Sequence, residues 1–368
     1  MDDPFRFADQ MGPLKIVHIW RPQLALRAVV AIDNIDCGPA IGGVRMAPDV
    51  SAEEAFRLAR AMTLKNAAAG LPHGGGKAVI FADPKMPAAD KEAMIRAFAT
   101  AMADLVDYIP GPDMGTDELA MGWVHDEIGR AVGLPREVGG IPLDEIGATG
   151  FGLAAAIDVA AGHIGLSLTG ARVAVQGFGS VGQHAARFLG EKGAVLVGAS
   201  DTHGTLTDDN GLDIGALITL KHEGGALRDY RRGQKRDGEA IIDIPCDIWI
   251  PAARPDVIHG GNVARLHAKI VAQGANIPCT QEAEADLARR GVIVIPDFIA
   301  NAGGVICAAV EYHGGTEASA FAMIEEKIRA NTKAVLERTT AGALPRTAAV
   351  NLAKDRVARA MRTRRWEH

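Results

Sequence analysis

Cysteine is scarce in this chain. Cys37, Cys246, Cys279 and Cys307 are scattered without any CxxC spacing, which indicates neither a thiolate zinc site nor a disulfide framework and leaves four reduced core or pocket thiols. An excess of positive charge is also lacking: the formal net charge is −6 and the Lys/Arg-dense stretches are short. Nucleic acid is therefore not expected as a partner. No apolar run approaches the ~18 residues of a membrane helix. The opening MDDPFRFADQ is acidic and has no apolar core of signal-peptide length. These absences lead to the expectation of a cytoplasmic protein with no membrane partner. At 368 residues, a prior of roughly 100–200 residues per domain gives two domains.

The chain changes character near residue 145. Before it, helical patterns dominate. Ser51, Ala52, Glu53 and Glu54 have the form of a capping box, which satisfies the free amides at a helix start, and Leu58, Met62 and Asn66 then recur every four residues. The spacing predicts a helix from Ser51 to Ala69. A second amphipathic stretch places Met94, Ile95, Phe98, Met102 and Leu105 on one face and stops before a turn at Ile109, Pro110, Gly111 and Pro112, which delivers Asp113.

After residue 145 the apolar runs are short, β-branched and separated by helical stretches, as buried parallel strands read. Strands are expected at Arg172–Gln176, Val195–Ser200, Asp247–Ile250, Lys269–Gln273 and Val292–Ile295. Their alternation with helices predicts an α/β fold with a doubly wound sheet. The polar stretch from Lys221 to Glu239 interrupts it and reads as a solvated surface excursion.

Two lysines stand out in MTLKNAAAGLPHGGGK: Lys65 and Lys77. A helix ending at Gly70 and a flexible glycine-rich connection are expected to bring both ammonium groups to one small site. Two cations sharing a cleft imply an anionic ligand, and a like charge together with desolvation depresses one lysine pKa. A carboxylate substrate and a lysine base follow.

The cofactor signal is Gly177, Phe178, Gly179, Ser180, Val181 and Gly182, a GxGxxG that leaves a predicted strand and opens a helix. Gly177 permits the tight turn, Gly179 lets backbone approach a pyrophosphate, and Gly182 lets helix and strand pack closely. Asp201 ends the next strand at the offset of a carboxylate that accepts from the adenosine ribose hydroxyls, which favours NAD over NADP. Thr202 and His203 beside it leave room for a 2′-phosphate, so NADP stays open. Asn276 and Asn301 sit in loops that leave strands on the same edge, where open α/β sheets bind ligands. Asn in a turn also serves to bond its own backbone.

These residues resemble a known family. GPAIGGVRMAPDVSAEEAFRLARAMTLKNAAAGLPHGGGKAVI is similar to the substrate domain of the glutamate/leucine/phenylalanine/valine dehydrogenases, and QGANIPCTQEAEADLARRGVIVIPDFIANAGGV to their cofactor domain. The resemblance runs from about Gly38 to Glu311. It implies two domains with a cleft between them: substrate binding and oligomerisation in residues 1–145, with 335–368 packing back on it, and a Rossmann-like NAD-binding domain over 146–334. It implies oxidative deamination of an L-amino acid to a 2-oxo acid and ammonia by a homo-oligomer. Lys65 then holds the α-carboxylate, Lys77 and Asp113 are catalytic, Gly42 and Gly43 line the substrate site with Asn301, and Thr149 helps fix the nicotinamide amide.

The chain departs from the glutamate-specific members at the side-chain pocket. Their lysine before the GG and their serine on the helix after NAGG, which together grip the γ-carboxylate, are here Ile41 and Ala308. An uncompensated carboxylate in such a pocket costs several kcal/mol, so an apolar side chain of the Leu, Val or Phe type is expected. Yet DTHGTLTDDNGLDI and the polar segment after it resemble the glutamate enzymes, which keeps glutamate as the alternative, with Arg45 a conceivable cation. A dinucleotide-binding regulatory protein without activity is the alternative of another class; Lys65, Lys77 and Asp113 speak against it. The basic stretch from Lys354 to Trp366 is expected to be a helix packed on the first domain or on a neighbouring subunit.

Overall fold

The computed structural model describes residues 3, 5–340 and 342–363. The chain forms two compact units. One runs to Pro142 and takes in Val305–Ala320 and the chain from Ala353; the other comprises Leu143–Gly304 and Phe321–Leu352. The residues after 304 are thus divided between the units, and the return to the first begins at Val305, well before residue 335. Glu311 helps to fix that return, because its half-buried carboxylate accepts from the backbone N–H groups of Gly133, Leu134 and Ile141.

Among the described residues, the first unit holds five strands: β1 (Lys15–Arg21), β2 (Leu26–Asn34), β3 (Ala40–Ala47), β4 (Gly74–Phe81) and β5 (Tyr108–Pro112), in the order β1-β2-β4-β3-β5. β1, β2 and β4 pair antiparallel, whereas β3 lies parallel to both β4 and β5. Strand alternation gives the sheet two buried faces. Val30, Ile32, Ala78 and Ile80 pack with α2 (Ala88–Ala101) and α3 (Glu118–Ile128), while Val29, Ala31 and Val79 pack with α1 (Ala52–Ala68).

Two local readings change. α1 is capped by Ser51, whose hydroxyl accepts from Glu54 N at 3.0 Å, but it buries Ala55, Ala59, Thr63, Asn66 and Ala67 rather than Leu58 and Met62, which are half-buried. The small residues let the helix lie close on β4. The segment from Ile109 to Pro112 is a parallel edge strand and not a turn: the edge position leaves the prolines' missing N–H groups without consequence for the ladder.

In the second unit the strands are β6 (Arg172–Gln176), β7 (Val195–Asp201), β8 (Gly204–Thr207), β9 (Gln234–Arg236), β10 (Ile248–Pro251), β11 (Ile270–Ala272) and β12 (Ile293–Ile295). Their order is β12-β11-β10-β6-β7-β8-β9, parallel from β12 to β7, with β8 and β9 antiparallel. The five expected strands are all present within one or two residues. The polar segment is not only an excursion, because β9 within it closes the sheet with the exposed, charged edge Gln234, Lys235 and Arg236, a sequence that discourages pairing with another chain.

The helices from residue 143 on are α4 (Leu143–Ile146), α5 (Ala148–His163), α6 (Ser180–Glu191), α7 (Ile214–His222), α8 (Gln281–Arg289), α9 (Asp297–Ala300), α10 (Gly303–Tyr312), α11 (Glu317–Thr340) and α12 (Pro345–Thr363). The stretch Leu143–His163 is long and apolar enough by composition to cross a membrane, contrary to the reading of the sequence; two-thirds of it is buried inside the protein, as the all-round apolar surface of a core helix requires. α12 covers most of the basic C-terminal stretch; Trp366 lies outside the described residues.

Candidate active site

β4 carries Lys77 on the sheet face that packs against α1, the same face as Val79 and, across the ladder, Arg45. Lys77 is only 5% exposed. Its Nζ lies 2.7 Å from Oδ2 of Asp113, which immediately follows β5. Arg45 Nε donates to the same oxygen at 2.8 Å, and Arg45 Nη1 donates to Glu54 on α1 at 2.6 Å. Asp113 is oriented by its own backbone N–H, which donates to Thr116 Oγ1, while that hydroxyl donates to Val44 O. Its carboxylate is therefore free of local turn bonding and faces the two cations.

Burial pushes the Lys77 ammonium below its usual range, Asp113 opposes this, and the positive charge of Arg45 adds to it. Burial also acts to raise Asp113, but Lys77 and Arg45 overcome it and hold the carboxyl below the usual carboxylate range. Arg45 is a like charge that Lys77 feels, one that the sequence did not point to. Lys65 itself is half-buried in the last turn of α1.

The glycine-rich connection has a structural cause that sequence reasoning missed. Gly74, Gly75 and Gly76 are inside β4. A Cβ at Gly75 would lie 2.0 Å from Thr63 N on α1, and one at Gly76 would lie 2.7 Å from the Tyr108 ring. The glycines let helix and strands close around the lysine rather than loosen it. Gly42 and Gly43 belong to the same packing: a Cβ at Gly42 would strike Gly76 O, and one at Gly43 would stand 2.7 Å from Asp113 Cβ and 3.0 Å from Lys77 Nζ. Gly43 is what leaves the ion pair room. Ile41 is buried on β3 between Gly75 and Ile109, and Ala308 is buried in α10.

In the second unit, β6 is the middle strand from which the chain winds first to β7 and later back to β10, so the switch point of the sheet lies at the carboxyl end of β6. Gly177 stands there with φ +90°, and a Cβ at Gly182 would meet Gly177 O at 2.1 Å. A Cβ at Gly179 would meet no protein atom within 4 Å. Among the described residues nothing demands a glycine at that exposed position before α6, where a bare backbone leaves the helix N-terminus open to an anionic ligand. Ser180 and Val181 open the helix, with Ser180 Oγ donating to Asp144 O. Phe178, by contrast, is a core residue: its side chain is buried and its N–H donates to Ser200 O.

Asn301 and Asn276 come together, Asn301 Nδ2 donating to Asn276 Oδ1 at 3.0 Å and to Gly274 O. The buried Oδ1 of Asn301 has no protein donor, an acceptor suited to a ligand N–H. Thr149 opens α5 beside Gly304, whose Cβ would lie 3.2 Å from the Thr149 hydroxyl. Asp201 differs from expectation. One carboxylate oxygen accepts from Lys221 Nζ at 3.0 Å and Leu227 N at 2.9 Å, and the other accepts from His203 N. Burial raises its pKa, and these donors more than offset the effect. Both oxygens are engaged within the protein.

Sequence reading also missed Arg346. From α12 it pairs with Glu284 at 2.8 Å and with Asp297 at 3.0 Å, and donates to Gln273 Oε1. Gln273 begins the loop that carries Asn276, whereas Asp297 opens α9 and Asn301 caps its C-terminal end, so that segment is helical and not the loop expected from the sequence. Arg346 stands 73, 62 and 49 positions after Gln273, Glu284 and Asp297, and only their meeting in the fold reveals the network.

The family model of the Glu/Leu/Phe/Val dehydrogenase dimerisation domain matches residues 22–130, and that of Glutamate/Leucine/Phenylalanine/Valine dehydrogenase matches residues 139–365. The chain belongs to this dehydrogenase family. A glutamate dehydrogenase of Aeropyrum pernix is 38% identical over 96% of this chain and 88% of its own length, and an NADP-specific glutamate dehydrogenase of Saccharolobus shibatae is 36% identical over 96% and 86%. Among solved structures, the hetero-hexameric glutamate dehydrogenase of Thermus thermophilus in a Leu-bound form has a TM-score of 0.83 at 28% identity, covering 97% of this chain and 91% of that one. An L-tryptophan dehydrogenase of Nostoc punctiforme follows the same fold with a TM-score of 0.76 at 27% identity, covering 96% and 98%. As a member of the dehydrogenase family, the chain is an oxidoreductase acting on CH–NH2 with a nicotinamide dinucleotide.

Proposed function

We propose that this dehydrogenase converts an L-amino acid reversibly into its 2-oxo acid and ammonia, with Lys77 and Asp113 handling the protons. The observation that carries this is the 2.7 Å pair of buried Lys77 with half-buried Asp113. A lysine biased toward its neutral form serves as a base near neutral pH. In this reading, Lys77 orients and deprotonates the water that attacks the substrate iminium, and Asp113 exchanges protons with the departing nitrogen. Lys65 pairs with the α-carboxylate. The dinucleotide, when bound, accepts the hydride from Cα. Gly179 and the N-terminus of α6 would receive its pyrophosphate, and Asn276, Asn301 and Thr149 would hold its nicotinamide half. The test is absorbance of the reduced nicotinamide with a panel of L-amino acids, and with 2-oxo acids plus ammonia. Silence in both directions would make the chain a dinucleotide-binding protein without activity.

For the substrate side chain, the relatives' names favour glutamate over the apolar substrate expected from the sequence. A specific observation still supports the apolar reading. Ile41 and Ala308 are buried and uncharged, and Arg45, the one cation considered as a substitute, is committed to Asp113 and Glu54. The ratio of kcat/KM for glutamate and leucine decides between them. Assembly into an oligomer through the first unit is supported by the dimerisation-domain match and by the hexamer named for the Thermus structure. For the cofactor, Asp201 supports NAD, although its charge is partly compensated by Lys221.

A further inference from the structure

His73 and His313 form a contact that the dehydrogenase reaction does not use. Both belong to the first unit. His73 immediately precedes β4 and is 1% exposed, while His313 follows α10 and is exposed. Their Nε2 atoms are 3.1 Å apart, and His73 Nδ1 is 3.0 Å from Pro39 O.

The protons can be assigned from chemistry. Pro39 O only accepts, so His73 Nδ1 carries a proton and donates to it. A 3.1 Å contact between two ring nitrogens requires one of them to accept, and buried His73, whose proton is already on Nδ1, presents the lone pair on Nε2. His313 fills that lone pair with its own Nε2–H. The ring of His313 reaches solvent and can instead carry its proton on Nδ1, a tautomeric change that releases no proton. Both Nε2 lone pairs then face the same point.

We propose that His73 and His313 together bind a borderline-soft divalent metal ion of the Zn2+, Cu2+ or Ni2+ class, with solvent ligands completing the coordination. Two Zn–N bonds of ~2.0–2.1 Å at a tetrahedral angle separate the donors by ~3.3 Å. The observed separation of 3.1 Å needs only a small opening. The His73 N–H to Pro39 carbonyl bond is the outer support that metal-binding imidazoles characteristically have, because it fixes tautomer and ring orientation. The exposed edge of His313 is the entry path. Among the described residues no cluster of three or more His, Cys, Asp or Glu gathers there, so the ion is exchangeable rather than a structural centre. Bound, it ties the segment entering β4, four residues before Lys77, to the end of α10.

Equilibrium dialysis of the chelator-stripped full chain against Zn2+, with Mg2+ as the hard-cation control, tests this. The expected result is about one Zn2+ per chain at up to ~100 µM free ion and no Mg2+, given the preference of imidazole for Zn2+ and of oxygen ligands for Mg2+. His313→Ala, an exposed change compatible with folding, should weaken Zn2+ binding at least ~10-fold. His73→Gln should do the same, and Cu2+ on the wild type should show hyperfine coupling to two imidazole nitrogens. Absence of uptake overturns the site. So does uptake unchanged by His313→Ala, and so does uptake abolished by alkylating Cys37 and Cys246.

Discussion

Asp113 Oδ2 is shared between Lys77 Nζ at 2.7 Å and Arg45 Nε at 2.8 Å. A single carboxylate oxygen therefore sets the protonation of the lysine while being held in place by an arginine. Burial and Arg45 favour neutral Lys77 and Asp113 favours the ammonium, so the balance point is adjustable by substitution.

Removing the base should stop turnover without unbinding the dinucleotide. Lys77→Ala is expected to lower kcat by at least ~10²-fold, with NAD(P)H fluorescence titration unchanged. Lys65→Ala should act mainly on KM for the amino acid. Near-normal turnover of Lys77→Ala would take that residue out of the mechanism.

The pH profile gives the sign. Since Lys77 must lose a proton to act as a base and its pKa is held below 10.5, kcat/KM should rise with pH along a limb that lies below that value. Asp113→Asn removes the group that raises the lysine pKa, so in the residual activity the limb should move to lower pH. A shift to higher pH would show that the ion pair does not control the titration.

Asp201 and Lys221 should pull cofactor choice in opposite directions. Asp201→Ser relieves like-charge repulsion of a 2′-phosphate and is expected to reduce the kcat/KM ratio of NAD over NADP. Lys221→Met, which leaves the carboxylate uncompensated, should increase it. If both variants leave the ratio where it was, the ribose lies elsewhere.

Arg346 should govern the segments that place Asn276 and Asn301. Replacing it by Met strands the buried carboxylates of Glu284 and Asp297, a loss on the order of 3–5 kcal/mol for a buried pair. Thermal melting should show this together with a raised KM for the dinucleotide. A lowered melting temperature with an unchanged KM would confine Arg346 to stability.

Ile41→Lys supplies a cation at the position proposed for the side-chain pocket. Glutamate should gain on leucine in kcat/KM, by ~10²-fold if a desolvated carboxylate acquires a partner worth a few kcal/mol. No relative gain would place the side-chain pocket away from Ile41.

Much of this was legible along the chain because it rests on short-range physics. Capping at Ser51, the apolar face of Met94, Ile95 and Phe98, the β-branched runs of the second sheet and the strand–glycine–helix order at Gly177 are each set within a few residues. Lys77 and Asp113 could be singled out as candidates by residue type and resemblance. Their 2.7 Å contact was not. It depends on parallel pairing of β4 with β3 and of β3 with β5, which local patterning does not determine. The same long-range pairing turned the glycines before Lys77 from an expected loop into a strand pressed against Thr63 and Tyr108, and a proline-rich turn into an edge strand. It also closed Asp201 onto Lys221 and Leu227, and set His73 against His313. The sequence by itself marked the helices and the strands of the second sheet, and the groups proposed to react. Only the tertiary structure decided which charges and lone pairs face one another, because electrostatic and hydrogen-bond energies depend on ångström distances between residues far apart in the chain.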